Sequence, residues 1–162
     1  MSETSLLPPD ERDLVIDRFF AAPPELVFRL WTDPVHALRW WGPRDHPLTR
    51  IEMDVRPGGT WRGCLTAVAD GEELWQGGRL LEIDPPRRLV FTFAWETDGE
   101  RGRETVVSLD FTAERDGTRM RFRQTPFDTI ANRDGHGGGW SSTFDRLDDF
   151  LRDWQADAGK TG

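Results

Sequence analysis

Apolar residues recur at helical spacing near the end of the chain. They follow one another at steps of four, three, four and three residues: Trp140, Phe144, Leu147, Leu151 and Trp154. Charged residues fill most positions between them, and Ser141 and Ser142 are small hydroxyl residues that favour the start of a helix. Burying one large apolar side chain contributes about 1.5–3 kcal/mol, so this stripe must pack against a partner surface. The sequence therefore predicts a long C-terminal helix that begins near Ser141.

The partner surface is predicted to be a sheet. From Leu48 onward apolar and polar residues alternate, as in half-buried strands, and glycine-containing turns separate successive strands. Residues 12–20 form one earlier strand, and two prolines after it each open a short helix. In the strand at 74–83 the apolar residues face both sides, and a bulge near Gly77 and Gly78 would reconcile them.

This order of elements predicts an α+β protein. Its seven-stranded curved antiparallel sheet, in the order β-α-α-β6-α, would wrap around the long C-terminal helix. At 162 residues the chain is long enough to bury a core, and no repeat or linker divides it. We expect a single domain over residues 12–155, with flexible termini at 1–11 and 156–162.

Charge and cysteine content restrict the class of partner. The net charge of −8 at pH 7 argues against nucleic acid and against an anionic membrane, since both attract clustered Lys and Arg. No apolar run approaches the length of a membrane span, and the first residues lack the pattern of a secretory signal. We therefore expect a cytoplasmic protein. Cys64 is the single cysteine, which excludes an internal disulfide and a cysteine-based metal cluster.

Six short motifs resemble the SRPBCC superfamily, and within it the branch named after the activators of Hsp90 ATPase. They are 22–28 (APPELVF), 31–34 (WTDP), 40–43 (WWGP), 56–59 (RPGG), 82–92 (EIDPPRRLVFT) and 139–147 (GW…L). The resemblance covers about residues 12–154. It implies the helix-grip fold, with a cavity between sheet and helix that often takes lipophilic molecules. Superfamily members include ligand carriers, polyketide cyclases, an antibiotic-sequestering protein and a co-chaperone domain, so no single reaction is implied.

Motifs for catalysis are incomplete. The sequence from His136 to Gly139 is similar to the oxyanion loop of lipases, but no Gly-x-Ser-x-Gly elbow follows it. We interpret it as a flexible loop before the last helix. The other two histidines, His36 and His46, lack metal-site spacing with His136. No metal and no cofactor is expected.

Aromatic residues fall on strand and helix faces that should meet. Plain core is the default role of such residues, but a sheet around one helix encloses spare volume near its open end. Trp40 and Trp41, at the end of the second short helix, would stand at the mouth of that cavity. The predicted lining residues are Trp61, Phe91, Phe93, Phe122, Gln124, Trp140, Phe144 and Glu82.

Glu82 is the carboxylate that could lie inside the cavity. On a bulged strand it would point inward, with Arg79 or Gln124 as its partner, because a buried carboxylate needs one. A solvent-exposed position is the alternative.

Three functions fit the sequence. The first is non-catalytic binding of a small lipophilic or aromatic molecule, with Gln124 and Glu82 fixing its orientation. The second, carried by the resemblance, is a protein-interaction domain with a chaperone or a second copy as partner; it predicts a filled interior and an exposed patch. The third is a cyclase or hydrolase, which requires a titratable group in the cavity, and Glu82 is the candidate.

Overall fold

The computed structural model describes residues 11–160 of the chain. Its elements are β1 (Leu14–Phe20), α1 (Pro24–Thr32), α2 (Pro34–Trp40), β2 (Leu48–Met53), β3 (Thr60–Thr66), β4 (Glu73–Asp84), β5 (Arg88–Thr97), β6 (Glu100–Arg101), β7 (Thr105–Glu114), β8 (Gly117–Thr125) and α3 (Ile130–Lys160). The sheet order is β1-β8-β7-β5-β4-β3-β2, and the two-residue β6 pairs with the end of β5. The predicted helix-grip fold with seven long antiparallel strands is confirmed, and β6 is a short addition.

The first two strands lie at opposite edges of this sheet. β1 pairs with β8, where Leu14 lies opposite Gln124, whereas β2 pairs with β3. The chain between them must therefore cross the width of the sheet. It does so as α1, which packs against β7 and β8, and α2, which packs against β2 and α3. The two short helices thus cover the part of the sheet that α3 leaves open.

Helix α3 begins at Ile130 rather than near Ser141. The interpretation of His136 to Gly139 as a flexible loop is therefore wrong. A glycine inside a helix costs about 1 kcal/mol relative to alanine, so this stretch is a weak helix former on its own. Packing offsets that cost, because the His136 ring lies 4.9 Å from the ring of Phe127, centroid to centroid.

The far end of α3 also differs from the prediction. The helix continues through Lys160, so residues 156–160, predicted to be flexible, are helical. Glu11, also predicted to be flexible, is described by the structure, and its carbonyl oxygen accepts a hydrogen bond of 3.0 Å from Arg133. The remaining parts of the predicted flexible termini, 1–10 and 161–162, lie outside the described residues.

A bulge in β4 lies at Leu81, not at Gly77 and Gly78 as predicted. The register with β5 shifts between Leu80 and Glu82. Leu80 is buried and Leu81 is 47% exposed, so the extra residue faces solvent. The two glycines instead allow neighbouring strands to approach β4 closely. A Cβ on Gly78 would lie 2.0 Å from the carbonyl oxygen of Thr92 on β5.

The apolar stripe of α3 is buried against the sheet. Trp140, Phe144, Leu147 and Leu151 are each at most 6% exposed. The Trp140 indole Nε1 donates a hydrogen bond of 2.9 Å to Oε1 of Gln124 on β8. This bond fixes the helix in one register, because a buried indole N–H without an acceptor would cost about 1–3 kcal/mol.

Arg146 on α3 holds the end of α2 in place. Its guanidinium donates to the backbone carbonyl oxygens of Trp41 and Gly42, both at 2.9 Å. The last carbonyl groups of a helix lack partners within that helix, and a cation is favourable there. Partial burial lowers the pKa of Arg146. The loop that follows α2 is thereby fixed against α3.

Replacement of Gly78 by alanine should destabilise the protein by about 1–3 kcal/mol, because the new methyl group meets the backbone of β5 and overpacks the site. The measurement is the free energy of unfolding in urea. Gly138→Ala is the matched control: its Cβ meets nothing within 4 Å, and an alanine in a helix should stabilise by about 0.5–1 kcal/mol. Wild-type stability in Gly78→Ala would contradict the prediction.

Candidate functional site

A cleft of about 210 Å³ lies between the inner face of the sheet and the first half of α3. Its third side is the loop after α2, which Arg146 holds in place. The walls are mainly aromatic and aliphatic. They are formed by Leu65, Leu74, Gln76, Phe93 and Trp95 of the sheet, by Gly135, His136, Gly139, Trp140 and Thr143 of α3, and by Trp41, Gly42, Pro43 and His46 of the loop.

Gln76 brings an amide group to the sheet wall of the cleft. The side chain is 2% exposed, and its Oε1 accepts a hydrogen bond of 3.2 Å from the indole Nε1 of Trp41. The bond joins the sheet wall to the loop wall. A polar group therefore lies within an otherwise apolar surface, which is the usual composition of a small-molecule site.

His136 brings an imidazole to the helix wall. Its Nε2 accepts a hydrogen bond of 3.2 Å from the indole Nε1 of Trp95. An indole nitrogen can only donate, so Nε2 carries no proton in this contact. Burial lowers the pKa of His136, since the charged imidazolium would lose its hydration.

The Trp95–His136 pair separates the cleft from a second cavity of about 120 Å³, because both residues also line that cavity. Phe93 lies in the same partition, with its ring centroid 5.7 Å from that of His136. The second cavity is bounded on its outer side by the ion pair of Arg103 with Asp128, at 2.6 Å.

The cleft is open along α3 because two of the residues that line it there are glycines. Gly135 and Gly139 are one helical turn apart and both line the cleft. A Cβ built on either would meet no atom within 4 Å. Any larger side chain at these positions would therefore extend into space that is now open. The glycines weaken the helix and enlarge the cleft.

A larger groove of about 530 Å³ lies at the surface between α2 and α3. Its lining includes the charged residues Arg39, Asp153 and Asp157. The guanidinium of Arg39 already lies 5.4 Å from the ring centroid of Phe150 within it. We therefore take the apolar cleft as the candidate site.

The structure divides the predicted lining residues into two groups. Phe93 and Trp140 line the cleft, and so does Trp41, which was predicted at its mouth. The others are buried but do not line it; these are Trp61, Phe91, Phe122, Phe144 and Gln124. Gln124 makes both of its hydrogen bonds to protein groups, Trp140 and Thr105. Gln124 therefore lies outside the cleft, contrary to its predicted place in the lining, and the glutamine in the cleft wall is Gln76.

Two further predicted positions are also wrong. Trp40 is fully buried and donates its indole N–H to the carbonyl oxygen of Leu30, so it is a core residue and not part of the mouth. Glu82 does not point inward. Its side chain is 51% exposed and pairs with Arg88 at 3.3 Å, because the bulge at Leu81 turns it outward.

Sequence reasoning missed Gln76 and His136. His136 lies four residues before Trp140, so it continues the helical stripe by one turn. The neighbouring glycines have low helix propensity, so the stretch was interpreted as a loop and the helical spacing was not recognised. Gln76 is at even spacing from Leu74 and Leu80, so the sequence places it on the same face of the strand as these two leucines. Its role depends on Trp41, a contact that no sequence spacing predicts.

Other chemical features are few in the part of the chain that the structure describes. Within 11–160, no three His, Cys, Asp or Glu side chains are placed to hold a metal ion. No helix within that range is long and apolar enough to cross a membrane. Cys64 is fully buried on β3.

Comparisons with known proteins agree with the fold. The model of the family described as activator of Hsp90 ATPase homolog 1-like protein matches residues 21–152. The AHSA1 protein of Silicibacter pomeroyi is 26% identical, with a TM-score of 0.78 over 86% of this chain and 97% of that one. No curated protein sequence matches the chain.

Two more solved structures share the fold at lower identity. A protein of Chromobacterium violaceum is 23% identical, with a TM-score of 0.78 over 85% of this chain and 96% of its own. The solution structure of a protein from Arthrobacter aurescens is 21% identical, with a TM-score of 0.80 over 93% and 91% of the two chains.

Acidification should destabilise the protein through His136. The unfolded chain takes up a proton on this histidine below about pH 6.5, whereas the folded protein resists it because its pKa is lowered. The unfolded state then binds more protons, so stability is full above pH 6.5 and falls as the pH drops towards the folded pKa. The measurement is the free energy of unfolding between pH 7.5 and 5. His136→Gln should show a shallower decline, and an identical pH profile would contradict this assignment.

Proposed function

The chain belongs to the family of activator of Hsp90 ATPase homolog 1-like proteins, and on that premise we propose that it binds a small aromatic or lipophilic molecule in the cleft between the sheet and α3. The observation that carries the proposal is the cleft itself, an aromatic-walled space of about 210 Å³ between the sheet and α3. Binding would be driven by burial of apolar surface.

The volume of the cleft restricts the ligand. Typical sites for drug-sized molecules measure about 300–1,000 Å³, whereas an apolar cavity of about 150 Å³ holds benzene. A cleft of about 210 Å³ lies between these cases. It suits a molecule of one or two rings and is too small for a long-chain lipid.

The walls suit flat aromatic ligands. The rings of Trp41 and Trp140 meet at 63° with centroids 5.7 Å apart, and Phe93 meets Trp140 at 62° and 6.2 Å. Aromatic rings favour edge-to-face and offset contacts of this kind, and the ring of a ligand in the cleft would extend them. The same residues hold one another in place, so the ligand would enter a preformed surface.

The two other functions have less support. The protein-interaction hypothesis predicted a filled interior, and the cleft is open space. The enzyme hypothesis depended on Glu82, which lies at the surface, paired with Arg88. Within residues 11–160, we identify no contact surface that favours a chaperone or a second copy of the chain over the cleft.

Filling the cleft from the helix should abolish binding. Gly139→Leu would place a branched side chain in the open space of the helix wall. The measurement is the melting temperature in a series of one- and two-ring aromatic compounds, including indane. A ligand at 100 times its dissociation constant should stabilise the wild type by about 2.7 kcal/mol and should not stabilise the variant.

Gly138→Leu is the matched control for this experiment. Gly138 is also helical and unobstructed, but it does not line the cleft. The control should gain the same helix propensity and keep wild-type ligand binding. Equal ligand stabilisation of both variants would place binding elsewhere, and a wild type that responds to no compound would overturn the proposal.

A further inference from the structure

We infer that the cleft selects a neutral aromatic molecule that carries a hydrogen-bond acceptor, such as a ring carbonyl oxygen, and that Nε2 of Gln76 donates to it. The inference rests on the proposed function, since it assumes that an aromatic ligand enters the cleft. It adds the chemical group by which that ligand is recognised.

The orientation of the Gln76 amide is fixed by its neighbour. Trp41 Nε1 lies 3.2 Å from the amide and can only donate a hydrogen bond. The amide atom facing it must therefore be the oxygen. The nitrogen Nε2, with two N–H groups, necessarily lies on the other branch of the amide. The assignment follows from the chemistry of the indole partner.

Nε2 of Gln76 has no acceptor among the described residues. Its amide makes a single hydrogen bond there, through Oε1. Gln124 is the contrast, because its nitrogen donates to Thr105 and its oxygen accepts from Trp140. Because the Gln76 side chain is only 2% exposed, an acceptor for this donor must come from the space that the nitrogen faces.

The free nitrogen opens on the cleft. Within residues 11–160, the one fully enclosed side-chain nitrogen or oxygen without a partner is Nε1 of Trp31. Nε2 of Gln76 is therefore not enclosed, although the side chain is only 2% exposed. The open space that Gln76 lines is the cleft. A ligand in the cleft would therefore lie within reach of this donor.

The remaining lining residues favour a neutral ligand. The cleft wall contains no Arg, Lys, Asp or Glu. His136 is held neutral by burial and by the hydrogen bond that its Nε2 accepts from Trp95. The hydroxyl of Thr143 donates to the carbonyl oxygen of Gly139 within the helix, so it offers no hydrogen to a ligand. His46 also lines the cleft, and its Nδ1 lies 3.0 Å from Oδ1 of Asp45, so this imidazole is already engaged by a carboxylate of the chain. An anionic ligand would lose its hydration and find no Arg or Lys in the wall.

Two probes of the same shape test the inference. Indane is a hydrocarbon, and 1-indanone adds one carbonyl oxygen to it. Their dissociation constants are measured by calorimetry on the wild type and on Gln76→Met, which keeps the length of the side chain and removes the donor. The ratio of the indane constant to the 1-indanone constant should fall about fivefold in the variant, the size of one neutral hydrogen bond. The cost of desolvating the carbonyl cancels in this comparison.

Two further variants separate the donor from the structural role of the amide. Gln76→Glu keeps an oxygen for Trp41 and loses the donor in its ionised form, so it should lose the preference for 1-indanone as well. Gln155→Met removes an exposed glutamine of α3 that does not line the cleft, and it should keep the wild-type ratio. If the Gln76 variants fail to fold, an NMR measurement on the wild type tests the inference instead. The side-chain amide resonances of Gln76 should shift when 1-indanone is added and should not shift when indane is added.

The outcomes distinguish the two proposals. Binding of both probes with a ratio unchanged by Gln76→Met, or with no selective shift of the Gln76 amide, overturns the inference and leaves the cleft as an aromatic-binding site. Failure of both probes, together with the rest of the aromatic series, overturns the proposed function and the inference with it.

Discussion

Hydrogen bonds from buried indole N–H groups organise the interior of the protein. Among the described residues, four of the five buried tryptophans donate to an acceptor, and Trp31 is the exception. Trp140 of α3 donates to Gln124, which joins the helix to β8. Trp61 donates to the carbonyl oxygen of Thr92, which joins β3 to β5 across the intervening strand. Each of these bonds fixes the position of a large apolar surface, because an indole shifted by one residue would lose its partner. The burial of aromatic area supplies the stabilising energy, and the indole nitrogens set the register.

Hydrogen bonds of the same kind define the cleft. Trp41 and Trp95 stand on two of its sides, and their acceptors are Gln76 and His136. These acceptors lie at the boundary of the packed core, so part of each faces open space. The cleft is thus the place where the network of indole hydrogen bonds reaches the edge of the core. A ligand there would meet rigid aromatic walls that need no rearrangement on binding.

Stability and cleft volume are opposed along α3. Its glycines weaken the helix where Gly135 and Gly139 leave room for a ligand, whereas the stripe from Trp140 onward packs the same helix tightly. The first half of α3 is therefore held by contacts such as that of His136 with Phe127, rather than by helix propensity. Arg146 lies in the tightly packed part of α3 and donates a hydrogen bond to the loop beside the cleft, so it links the packed part of the helix to the cleft.

The sequence by itself determined the order of the elements, the antiparallel sheet and the buried stripe of α3, because hydrophobic period and turn residues are local signals. It also indicated an aromatic cavity between sheet and helix. Only the tertiary structure decided which aromatics line open space, since Phe122 and Phe93 have the same strand pattern but face different neighbours. The start of α3, the outward turn of Glu82 and the pairing of Gln76 with Trp41 were decided there too. Each depends on contacts between residues far apart in the chain, and the periodicity of one segment carries no information about its partner.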